Sequence, residues 1–136
     1  MTVLAAALCV SASVGTAAAV AKPVYYTYRL AGVAPSEFRG VTTLTRSPST
    51  GALWVAVTVA RAEPGAILDA RIARGTCAAP GATRWRLREM NINDVGQGHG
   101  YTRIKKVAAF GPKGPTGLHL AVVDADGTRL SCARIG

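Results

Sequence analysis

The sequence predicts an all-β protein, a Greek-key β-sandwich or flattened barrel of about eight short antiparallel strands. Three observations point there. Beyond the first 21 residues the apolar side chains recur with period two. No tract keeps the three-to-four-residue apolar spacing of a surface helix. The alternating runs are short and punctuated by glycine and proline, of which the chain holds 15 and 7.

Each element follows from its own pattern. VYYTYRL (Val24 to Leu30) alternates, and so does GVTTLT around Val41. SPSTG (Ser47 to Gly51) is a hairpin turn by composition. It leads into ALWVAVTV, where Leu53, Val55, Val57 and Val59 share one face and Trp54, Ala56 and Thr58 the other. AILDARIA follows the Glu63-Pro64-Gly65 turn. RWRLR (Arg84 to Arg88) and YTRIKKV (Tyr101 to Val107) flank a polar, glycine-rich loop, NINDVGQGHG. LHLAVVD (Leu118 to Asp124) and TRLSCARI (Thr128 to Ile135) flank Ala125-Asp126-Gly127, whose Asp-Gly is a strong hairpin signal. With 136 residues, no internal repeat and no long linker, one domain is expected.

The opening segment, MTVLAAALCVSASVGTAAAVAKP, is apolar and rich in small residues, with no charge before Lys22. It reads as a secretory signal peptide over residues 1–21, ending on Ala19-Val20-Ala21, with the β-sandwich domain over 22–136. A transmembrane anchor is the competing reading, but Ser11, Ser13, Gly15 and Thr16 interrupt the run. The expectation is a secreted or periplasmic protein with no anchor after processing. Cys9 leaves with the signal; Leu8 before it is too bulky for lipoprotein cleavage. Cys77 and Cys132 remain, and in an oxidising compartment an even pair is most simply a disulfide. Two buried free thiols would suit a cytosolic protein instead. All 16 Lys and Arg and all seven acidic residues lie at or after Lys22, so the mature domain keeps the full net charge of +9. Such a charge draws a protein toward anionic partners and says nothing of fold.

Around the two cysteines the sequence is similar to a known family. EPGAILDARIARGTC, the Asp-x-Gly turn in DVG, and LHLAVVDADGTRLSCARIG resemble the copper/zinc superoxide dismutases and the related secreted chordin-type (CHRD) domains. The likeness runs from about Val24 to the C-terminus. It implies a dismutase-like sandwich and a bridge between Cys77 and Cys132. It also places Arg129 where that family has an anion-guiding arginine.

The family's metal ligands do not carry over. Its His-x-His ahead of the cysteine corresponds to Arg71-Ile72-Ala73, and its later copper histidine to Asp124. The zinc loop is shortened to the residues between Cys77 and Arg84. Copper needs several imidazoles in one geometry, and the chain holds two histidines, His99 and His119. His99 is expected to be a solvated loop residue. His119, alternating with Leu118 and Leu120, is expected to point outward from its strand. No metal and no cofactor are therefore expected. There is no G-x-S-x-G elbow or Cys-His pair for nucleophilic catalysis. Asp124 and Asp126 fall in a turn, and Asp94 with Gly96 and Gly98 lacks the carboxylates calcium needs.

The positive signal is basic. Burying Trp85 and Leu87 sends Arg84, Arg86 and Arg88 to the opposite face. Burying Thr102 and Ile104 sends Tyr101, Arg103 and Lys105 outward. If the two strands pair across the glycine-rich loop, five cations and one tyrosine share an outer sheet face. A solvated edge is one reading of that face. The other is a patch for a glycolipid, polysaccharide or nucleic acid, since guanidinium forks match oxyanions. The expectation is thus an exported, monomeric, non-catalytic binding or structural module; a copper/zinc dismutase-like enzyme or copper-binding protein is the alternative.

Overall fold

The computed structural model describes residues 22–33, 36–111 and 114–135, together with Ser11 and Gly15. The rest of the expected signal segment, Cys9 and the Ala19-Val20-Ala21 site included, lies outside the described residues. Nine strands follow one another: β1 (Val24–Ala31), β2 (Arg39–Arg46), β3 (Leu53–Ala60), β4 (Ile67–Gly75), β5 (Pro80–Arg86), β6 (Met90–Asn91), β7 (Gly98–Ile104), β8 (Leu118–Val123) and β9 (Arg129–Ile135). There is no helix among the described residues. Every strand pairing is antiparallel.

One sheet runs β1-β2-β3-β7 and the other β5-β4-β8-β9, with short β6 also paired to β4. Their inner faces meet in a core that includes Leu44, Val55, Val57, Ile72, Leu120 and Ile135. The all-β sandwich expected from the alternation is therefore present. β3 shows the pattern most plainly: Leu53, Val55, Val57 and Val59 are buried, and the residues between them are not.

The two turns identified by composition are built from the residues that suggested them. Gly51, at φ +74°, donates to the Ser47 carbonyl in the β2–β3 turn. At the β8–β9 turn the Asp124 carboxylate accepts from the amides of Asp126 and Thr128, and Gly127 takes φ +81°. That carboxylate is a turn staple. The β1 and β9 edges are stitched together where Gly32 bridges Ser131 and the Ser131 hydroxyl donates to the Ala31 carbonyl at 2.6 Å.

Two boundaries differ from expectation. β5 begins at Pro80, before RWRLR, and stops at Arg86, so Leu87 and Arg88 already belong to the passage toward β6. β7 begins at Gly98, inside the stretch that reads as a loop. The reason is steric. Gly98 and Gly100 occupy inward positions, where a Cβ would come within 2.6 Å of Ile92 Cδ1 and 2.9 Å of Met90 Cγ respectively. Their glycines mark a close approach rather than a turn.

Candidate functional site

The disulfide organises one outer face of the sandwich. Cys77 and Cys132 are bonded, with Cα atoms 5.9 Å apart, across 55 residues of sequence. All six residues of β8 are buried. Leu118, Leu120 and Val122 face the core. Alternation turns His119, Ala121 and Val123 the other way, where the bridge holds the chain at Cys77 over the sheet: Cys132 pairs with Ala121 in the β8–β9 ladder. His119 is consequently 1% exposed, with Nδ1 3.2 Å from the Gly75 carbonyl. A carbonyl can only accept, so Nδ1 carries the proton. His119 lies on the outer side of its strand, as expected, yet is shielded from solvent there, whereas His99, expected in a loop, is an exposed residue of β7. Arg129 reinforces the same joint, donating to the Cys77 carbonyl at 2.6 Å.

The basic residues are exposed, yet the structure distributes them differently from the shared face. Arg84, Arg86 and Arg88 are exposed around half-buried Trp85 and buried Leu87. Arg103 and Lys105 are exposed too. But β5 pairs with β4 and β7 pairs with β3, in different sheets. RWRLR and YTRIKK do not pair across NINDVGQGHG, because that connection carries the chain from one sheet to the other. Only Arg88 reaches β7: its amide donates to Thr102 Oγ1 at 2.8 Å. Arg86 binds the Asp69 carboxylate at 3.0 Å. The Arg84 guanidinium lies 4.6 Å from the Trp85 ring centroid, and that of Arg103 lies 5.8 Å from the centroid of Trp54. Lys105 stands just beyond the end of β7.

A different surface carries the more uniform chemistry. The strands β1, β2, β3 and β7 contain no aspartate or glutamate. The strand registers place their outward residues in rows. Tyr25, Thr45, Trp54 and Arg103 form one row. Thr27, Thr43, Ala56 and Tyr101 form the next, and Arg29, Val41, Thr58 and His99 the third. Ala31, Arg39 and Ala60 complete the face. At the Arg29 end an open groove of about 740 Å³ is lined by Arg29, Arg39 and Arg61, with Glu37 the one acid beside them. Sequence reasoning missed this face. Its one available signal was the absence of acidic residues from four of the alternating runs.

The residues do not fit a copper site. His99 lies on the outer face of the four-stranded sheet and His119 on that of the other, so the two imidazoles cannot meet. At the positions corresponding to the family's ligands stand a half-buried arginine, Arg71, a buried alanine, Ala73, and Asp124, whose carboxylate serves the turn amides. Among the described residues no three His, Cys, Asp or Glu side chains are grouped to hold a metal ion. Nor is any helix of the described residues long and apolar enough to cross a membrane. No family model matches the chain, and no curated protein does.

Proposed function

We propose that this chain is an exported, monomeric, non-catalytic module of dismutase-like topology that binds anionic polymers. The observation that carries the reading is uncompensated positive charge. The sequence holds 16 Lys and Arg against seven acidic residues. Among the described residues there is one ion pair, Arg86–Asp69, in which the Arg86 side chain is still 76% exposed. Arginine outnumbers lysine, and a planar fork matches carboxylate, sulfate and phosphate better than an ammonium does. The Cys77–Cys132 bridge supports an oxidising compartment and the family likeness that implies it.

Titration of the purified protein with heparin at a series of salt concentrations tests this. Binding is expected at low salt, with log affinity falling linearly against log salt as counterions are released. Neutral dextran should not bind. Failure to bind heparin at low salt, or binding indifferent to salt, refutes the proposal.

A further inference from the structure

We infer that the outer face of the four-stranded sheet is a platform for an acidic polysaccharide, whose uronate or sulfate groups pair with Arg29, Arg39 and Arg103 while its sugar rings stack on Tyr25 and Tyr101. The inference rests on the polyanion-binding reading above and says where that binding occurs and to what.

The face carries charge of one sign, and its exposed tyrosines distinguish it from the other sheet, whose strands hold arginines but no tyrosine. The four strands of the face hold no carboxylate, and its outward arginines sit at opposite corners: Arg29 and Arg39 near the groove, Arg103 diagonally across. Strands about 4.8 Å apart and rows about 7 Å apart spread these cations over an extended area. That geometry suits a repeating polymer rather than a single small anion. Between the cations stand the phenols of Tyr25 and Tyr101, 66% and 56% exposed. Rings this open on a sheet face offer apolar stacking surface with a polar hydroxyl at the tip.

The polar groups between them favour sugar over nucleobase. Thr27, Thr43 and Thr58 present hydroxyls that both donate and accept, as sugar hydroxyls do. The four strands have no Asn or Gln, the side chains that read base edges in pairs. Trp54, the largest ring, is half-buried beside the Arg103 guanidinium and offers less open surface than the two tyrosines. The disulfide also fits a compartment where glycans are the prevailing polyanions.

A second observation comes from the backbone. Arg61, lining the groove, is the one non-glycine residue at positive φ among those described, at +56°. The groove thus carries a third arginine, on backbone in the conformation that favours glycine.

The test uses the mature protein with polygalacturonate, heparin and a single-stranded oligonucleotide as probes. Three variants are compared: R29S/R39S/R103S, R84S/R86S/R88S, and Y25A/Y101A. The first two remove equal charge. The face variant should lose about tenfold or more in polygalacturonate affinity and flatten the salt slope by roughly two or three units. The β5-edge variant should change little. Y25A/Y101A should lose affinity several-fold at an unchanged slope, an effect net charge cannot produce. Equal losses in the two arginine variants, or a larger loss in the β5-edge variant, refute the platform while leaving polyanion binding intact. Tighter oligonucleotide binding that depends on Tyr25 and Tyr101 refutes the glycan assignment. Should the unmodified protein bind no probe at low salt, the broader proposal fails first.

Discussion

Arg129 donates a 2.6 Å hydrogen bond to the carbonyl oxygen of Cys77, three residues before the cysteine to which Cys77 is covalently bound. One joint is thus closed twice, by a disulfide and by a guanidinium. Beneath it lie the buried His119 and Ala121.

Breaking the covalent closure should be expensive. A bridge spanning 55 residues constrains the unfolded chain by about 4 kcal/mol in the entropy model. C77S/C132S is expected to lose roughly 2–5 kcal/mol in urea unfolding. A loss below about 1 kcal/mol contradicts a structural role for the bridge.

Removing the guanidinium should cost less but in the same place. R129A strands the Cys77 carbonyl and is expected to lose about 1–3 kcal/mol, the usual cost of an unmade partly buried hydrogen bond to a charged group. In C77S/C132S the two losses should not add, since they serve one joint. Full additivity in the combined variant indicates independent roles.

The core contains a removable defect. Thr42 is fully buried in β2, and its Oγ1 has no hydrogen-bond partner among the described residues. T42V keeps the shape and removes the unsatisfied hydroxyl, so thermal unfolding should show a gain of about 1 kcal/mol. A drop in melting temperature means the hydroxyl is satisfied.

Arg61 links stability to binding. At φ +56° its replacement by glycine relieves backbone strain, partly offset by a more flexible unfolded chain, for a net gain of about 0.5–1 kcal/mol. R61G should therefore melt higher while binding polygalacturonate more weakly. If binding is unchanged, the groove end takes no part in the platform.

Much of the fold was legible because burial acts on each strand locally. Alternation in ALWVAVTV names the buried face of β3 whatever its neighbours are, and the Asp-Gly of the last hairpin specifies its own turn. Pairing is another matter. Alternation places Arg84, Arg86 and Arg103 outward, but sheet membership depends on where the connections travel. Nothing local to NINDVGQGHG says that it crosses the sandwich. The glycines of β7 read as loop because their reason, the pressure of Met90 and Ile92, comes from elsewhere in the chain. His119 obeys its strand period, yet the chain folded over it comes from 42 or more residues earlier and is held by the bridge. The acid-free face was hidden for the same reason: its rows exist only once four registers are known.

The location of binding is tested most directly by mapping backbone amide shifts in the NMR spectrum as an acidic oligogalacturonate is added. The largest shifts should fall on outward residues of β1, β2, β3 and β7, around Tyr25, Arg29, Arg39, Tyr101 and Arg103. β4, β8 and β9 should stay still. Shifts centred on Arg84 to Arg88, or no shifts under low-salt conditions that saturate heparin binding, contradict the account.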